Sequence, residues 1–224
     1  MIGTKAKALS LLLKCAVIAC AAVGVALSAI SGAQAFMGGG RVFMYFTIQS
    51  NIAIALVCAA GAALLLRGGP IPDRWYVIKY VFTVSITLTG AVFCFVLAPT
   101  LGGHAWSAQH VLTHVAVPLT AIADFLVTGR YGSIKKRSVV WVTLPPLLYA
   151  VYTGIAYLAG WEFSPGKNYP YFFLNWDSPA RAFGFTKGLP YMGCAWWILL
   201  ILALLLAVGL GYLLLIDLMK KKIK

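Results

Sequence analysis

Charge is scarce in this chain. Only 10% of the 224 residues are charged and only five are acidic, whereas 62% are apolar and the mean hydropathy is +0.90. A soluble domain of this length cannot hide so much apolar surface, so a soluble fold is excluded. Paired cysteine spacing is missing as well. Cys15, Cys20, Cys58, Cys94 and Cys194 fall within or at the ends of apolar runs, which argues against a disulfide framework or a CxxC zinc site and leaves them as small apolar fillers. No internal repeat is detectable, which weighs against the paired halves of many carriers and leaves residues 1–224 as a single domain.

What the chain has instead is long apolar runs. A helix rising about 1.5 Å per residue needs roughly 20 apolar residues to cross about 30 Å of hydrocarbon. Six segments qualify, at about 10–34, 42–66, 76–99, 106–128, 138–160 and 193–217. Gly38-Gly39-Gly40, the Gly68-Gly69-Pro70-Ile71-Pro72 turn, Pro99 with Gly102-Gly103, Gly129 to Gly132, and the polar stretch from Trp161 to Pro190 punctuate them. Short loops favour antiparallel neighbours. The expected fold is therefore an all-α, polytopic six-helix bundle in a cell membrane, read as a bacterial inner membrane.

Basic residues set the expected orientation. With both termini cytoplasmic, fourteen of the eighteen lysines and arginines fall inside, among them Lys14, Lys79, Arg130 and Lys135, and only Arg41, Lys167, Arg181 and Lys187 fall outside. Their place beside helix ends explains the net charge of +13 through topology and anionic lipid head groups, with no call for nucleic acid. Lys5 and Lys7, an apolar stretch, and Ala33-Gln34-Ala35 also resemble a signal peptide. The run after Lys14 is longer than a usual signal core, so a retained first helix is expected.

The polar residues inside the spans carry the chemistry. In "YFTIQSN", Thr47, Ser50 and Asn51 share one face of the second helix. Such residues commonly bond one membrane helix to another. In the fourth helix, His110 and His114 lie one turn apart, and Val117, Ala121 and Asp124 continue their stripe, which must face protein or a water-filled cavity. Both helices enter from the outer side, so Thr47, His110 and His114 all lie roughly 7–13 Å below that surface. A hydroxyl, a base and amides at one level are the parts of a nucleophilic hydrolase acting on lipid-like substrates. Gln49, Ser50 or Asn51 would donate to an oxyanion. Asp124 lies about 15 Å from His114 along the axis, too far to orient it, and Arg130 or Lys135 is its expected partner. Asn51, Glu162, Asp177 or a tyrosine is left as the group that orients the histidine. Residues 161–192 form an extracytoplasmic, aromatic-rich loop or lid, with Tyr169, Tyr171 and Asn175 in its "NYPYFFLN" stretch as supporting residues.

"YFTIQSN", "HVAVPLTAIAD", "LYAVYTG" and "NYPYFFLN" together resemble a family of bacterial six-span membrane proteins distantly similar to the androgen-induced membrane hydrolases of animals. The resemblance implies hydrolysis of fatty acid esters of hydroxy fatty acids by an intramembrane threonine and a histidine. Carried over by motif, these are Thr47 and His114, with His110 the alternative base. Such an enzyme needs no cofactor and no metal; its partners are membrane lipids and a fatty acyl ester. Two other classes stay open: a small-solute or proton-coupled carrier using His and Asp as a relay, and a His-ligated metal or haem protein.

Overall fold

A computed structural model describes residues 2–34, 40–129 and 134–221. Among them are six helices long and apolar enough to cross a membrane, and no strand: an all-α, multi-pass membrane bundle. The helices are α1 (Thr4–Gln34), α2 (Phe46–Arg67), α3 (Asp73–Leu101), α4 (Ala108–Gly129), α5 (Lys136–Leu158) and α6 (Cys194–Lys221).

Local chemistry sets their ends. α2 starts four residues later than the hydropathy indicates, because Arg41–Met44 form a 3₁₀ turn and Tyr45 is extended. It stops at Gly68, whose φ of 75° is open to glycine at little cost. Asp73 stands in the first turn of α3, where the positive end of the helix dipole favours a carboxylate. α5 begins as a 3₁₀ helix, Lys136–Thr143, and becomes α-helical where Pro145 and Pro146 occupy the first turn.

α3 and α4 are the centre of the bundle. On one side Val17 of α1, Ile54 of α2, Ile86 of α3 and Val117 of α4 meet in a fully buried layer. On the other, Tyr80 and Val84 of α3 and Phe125 of α4 pack with Val142 of α5 and Leu205 and Ile216 of α6. Leucines such as Leu56, Leu119, Leu148 and Leu158 stay exposed around the outside, where only a hydrocarbon solvent accepts them.

α3 and α4 each contain one widened, π-helical turn, Phe93–Leu97 and Leu112–Ala116. In α4 the cause is Pro118. It has no N–H for the carbonyl of His114, and its ring would clash with that carbonyl in a regular helix. The Val117 N–H therefore reaches back to Leu112 O, which leaves Thr113 O without its usual helical partner. Gly90 of α3 fits against the bulge: a Cβ there would lie 2.8 Å from His114 O and 3.2 Å from the Pro118 ring.

Buried charge ties α1, α3 and α4 together near the end that holds both termini. Asp124 is paired with Lys14 at 2.7 Å and Lys79 at 2.5 Å, with side-chain exposures of 0%, 0% and 1%. This corrects the expected partners: Lys135 makes no ion pair with Asp124, and Arg130 lies outside the described residues. It also removes Lys14 and Lys79 from the basic residues that meet lipid head groups. Because Lys14 is locked to α4, α1 is an integral part of the bundle; Ala35 of the signal-like Ala33-Gln34-Ala35 lies outside the described residues.

Candidate functional site

The site lies at the opposite end, where the start of α2 faces the widened turn of α4. Thr47 stands in the first turn of α2, and its Oγ1 is 3.3 Å from His114 Nε2. Hydrogen-bond distances of about 2.6–3.2 Å are usual for a nucleophile and its base, and they are often looser before substrate binds.

The other imidazole nitrogen is held within α4 itself. His114 Nδ1 lies 3.1 Å from His110 O and 3.0 Å from Thr113 Oγ1. Thr113 Oγ1 gives its own proton to Gln109 O at 2.7 Å, so it accepts from Nδ1–H. This network assigns the proton to Nδ1 and leaves the Nε2 lone pair facing Thr47. The ring is clamped flat against Phe93 of the widened turn in α3, with centroids 3.8 Å apart and planes 19° apart. None of the orienters expected from the sequence serves. Glu162 pairs with Arg41 at 3.2 Å on an exposed surface, Asp177 accepts from Tyr157, and Asn51 bonds elsewhere.

Asn51 and Ser50 have the bonding role common in membrane helices. Asn51 Nδ2 donates to Thr47 O at 2.8 Å and to Thr113 O at 3.1 Å, capping the carbonyl that the bulge sets free. Ser50 Oγ bonds Thr89 Oγ1 of α3 at 2.8 Å and Thr47 O at 3.0 Å. Neither points at the Thr47 hydroxyl. Gln49 is exposed and donates to Phe43 O at 3.1 Å, so it is no oxyanion donor. His110 makes no bond to Thr47; its Nδ1 bonds Ala105 O at 3.1 Å, and its ring stands edge-on to His114 at 5.6 Å.

The loop between α5 and α6 covers the site through one residue. Tyr171 Oη lies 3.3 Å from both Oγ1 and the backbone N–H of Thr47. Its ring is stacked on Phe173 at 5.1 Å and set edge-on to Tyr45 at 5.8 Å. Burial holds the Tyr171 phenol above its ordinary pKa, and so protonated. Tyr169 makes no hydrogen bond at the site, and Asn175 turns away to accept from Asp177 N at 3.1 Å.

Behind Thr47 and Tyr171 lies a partly open pocket bounded by α2, α3, α5, α6 and the loop. Apart from Thr47, Thr89, Tyr149 and Tyr171 its walls are apolar: Phe46, Leu88, Val92 and Leu97, then Pro146 and Ala150, then Ile198, Ile201 and Leu202. Sequence reasoning found neither Thr113 nor Phe93, because both depend on widened turns. The one trace in the sequence is Pro118, four residues after the histidine.

The arrangement can activate a hydroxyl and place beside it a long apolar group. Among the described residues no cluster of three His, Cys, Asp or Glu could hold a metal. No family model, curated protein or solved structure matches the chain.

Proposed function

We propose that this protein is an integral membrane hydrolase of fatty acyl esters, with Thr47 as nucleophile and His114 as base, facing the extracytoplasmic leaflet of a bacterial inner membrane. One observation carries the reading: the Thr47 hydroxyl lies between the lone pair of an oriented imidazole and an apolar cavity. The resemblance of "YFTIQSN" and "HVAVPLT" to the androgen-induced membrane hydrolases supports the same pair.

In the reaction the acyl chain fills the cavity and the ester carbonyl lies at Thr47. Oγ1 attacks the carbonyl carbon as its proton passes to His114 Nε2. The carbonyl electron pair moves onto oxygen and returns as the alkoxide leaves, taking the proton from His114. Water, deprotonated by the same nitrogen, then attacks the acyl-threonine; as the Oγ1–C bond breaks, Oγ1 takes the proton back from His114 and the fatty acid is released. His114 Nδ1–H, held by His110 O and Thr113 Oγ1, supports the imidazolium at each step in place of a carboxylate.

A carrier reading draws on the Lys14–Asp124–Lys79 cluster. Against it, Val117 and Ala121, both buried in the apolar layer, separate Asp124 from His114 along α4. A metal shared by the two histidines would have to displace Thr47 from His114 Nε2, and among the described residues no third His, Cys, Asp or Glu joins them.

The test is hydrolysis of a long-chain ester by purified protein, with a fluorophosphonate reporter as a second readout. Wild type is expected to hydrolyse and to label, and Thr47→Ala and His114→Ala to do neither while staying monodisperse in detergent. Full activity in either variant removes this mechanism.

A further inference from the structure

The directions of the hydrogen bonds at Thr47 fix what its third neighbour does. His114 carries its proton on Nδ1, so Nε2 accepts the Thr47 O–H, and the lone pairs of Oγ1 are left to accept. Tyr171 Oη at 3.3 Å therefore donates to Oγ1 and accepts from the Thr47 N–H at the same distance. That N–H belongs to the first turn of α2, where a helix leaves its amides without internal partners and its dipole is positive. Tyr171 thus stands beside the point at which a carbonyl oxygen would lie once Oγ1 bonds to the carbonyl carbon.

We propose that Tyr171 is a catalytic residue, whose phenol O–H, together with the Thr47 N–H, stabilises the oxyanion of the tetrahedral intermediate. The inference rests on the nucleophile reading above and extends it to the loop. Before attack the phenol proton points at Oγ1. As Oγ1 forms its bond to carbon, the lone pair that accepted this proton becomes the bonding pair. The phenol O–H turns about its C–O bond to the carbonyl oxygen, which now holds the electron pair released from the C=O bond. The Thr47 N–H turns its donation from Oη to the same oxygen. No proton leaves Tyr171, and the O–H returns to Oγ1 when the intermediate collapses.

Three features fit a donor to developing charge. The Tyr171 ring is fixed between Tyr45 and Phe173, so little reorganisation accompanies the turn. Burial keeps the phenol neutral, as a donor must be. The cavity wall at this point is formed by Thr47 and Tyr171 together, so an acyl group in the cavity brings its carbonyl to both.

The test compares Tyr171→Phe with wild type, and with Thr47→Ala and His114→Ala as controls. Phenylalanine keeps the ring packing and removes only the O–H. Loss of one oxyanion donor lowers kcat by about 10²–10³, and KM is expected to stay within about threefold because the ester ground state gains little from the contact. A long-chain trifluoromethyl ketone, which forms a tetrahedral adduct on Thr47, should bind the variant weaker by a similar factor, whereas an unreactive ether of the same length should bind both proteins equally. A purely structural role would weaken both ligands. If Thr47→Ala is inactive but Tyr171→Phe keeps its kcat within threefold, or gains, the assignment of Tyr171 is overturned and the nucleophile stands. If Thr47→Ala itself hydrolyses the ester, the nucleophile reading fails, and this inference with it.

Discussion

Replacing Asp124 should unfold the bundle far more readily than replacing either of its lysine partners. Lys14 Nζ bonds Ser10 Oγ at 2.6 Å and both carboxylate oxygens at 2.7 Å. Lys79 Nζ bonds Asp124 O at 3.0 Å, Oδ2 at 2.5 Å and Thr128 Oγ1 at 2.6 Å. Each ammonium has three donors and each is fully used. Two cations face one anion at near-zero exposure, with Trp75 beside both at 5.6 and 5.2 Å from its ring centre. Asp124→Leu leaves two buried ammonium groups with no counter-ion, and breaking even one buried pair costs about 3–5 kcal/mol. At about 2–4 °C per kcal/mol for a chain of this size, the midpoint should fall by roughly 6–20 °C. Lys79→Met removes the excess charge and leaves Lys14 and Asp124 one to one, so it should cost below about 2 kcal/mol. The triple variant Lys14→Met, Lys79→Met, Asp124→Leu should recover most of the loss, since an apolar replacement of similar volume is often neutral or better. The assay is thermal unfolding in detergent, followed by tryptophan fluorescence and by recovery of the monodisperse peak. If Lys79→Met lowers the midpoint as much as Asp124→Leu, or if the triple variant is the worst of the three, the uncompensated cation is not what governs stability here.

Gly90→Ala would put a Cβ 2.8 Å from His114 O, a backbone atom that cannot swing aside. It should cost about 1–3 kcal/mol in the unfolding midpoint and, by displacing His114 from Thr47, lower kcat about 10²-fold per ångström of misplacement; unchanged kinetics would show that α4 is not positioned there. Ala150→Phe at the cavity wall should lower kcat/KM for long-chain esters by at least about tenfold and spare short-chain ones, read from a chain-length series. Burial pushes the Tyr45 phenol up to about 12. Its folded-state value is raised, so its contribution is fully present below about pH 10 and is lost as pH rises towards 12. Tyr45→Phe should flatten that alkaline fall in stability, and a spectrophotometric titration should show the lagging phenol.

The six spans were legible because hydropathy and glycine or proline punctuation act locally. Their ends moved by several residues: the 3₁₀ turn at Arg41–Met44 delays α2, and the first and last helices run on through polar residues to Thr4 and Lys221. The approach of Thr47 to His114 was legible as a matter of depth, since rise per residue places both at one level below the same surface. The histidine's orienter was not. In a regular helix the neighbour at i+1 points away, and Thr113 reaches Nδ1 only because Pro118 widens the turn. The pairing of Lys14 and Lys79 with Asp124 was equally hidden: lysine near a helix end reads as a topological signal, and only the close packing of α1, α3 and α4 turns it inward. Gln49 shows the converse error. It lies in the same polar heptapeptide as Thr47, but two residues along a helix is about 200° around it, and that face is outside.

α4 therefore carries two polar centres about 15 Å apart along its axis, and saturation tells them apart. At Asp124 every lysine proton has an acceptor at 3.0 Å or less, and any ligand would have to break a bond already made. At Thr47 the hydroxyl's contacts to His114 and Tyr171 are both 3.3 Å, long enough to tighten around a reacting group. An apolar pocket opens on one side, and the donor of the Thr47 amide is matched only by a phenol that an oxyanion can replace. A closed centre holds helices; an open one, with its geometry short of ideal until something enters, is where chemistry can be done. The apolar layer of Val17, Ile54, Ile86 and Val117 lies between them, and the separation of about 15 Å limits the penalty that the excess buried cation would place on the imidazolium formed when Thr47 attacks.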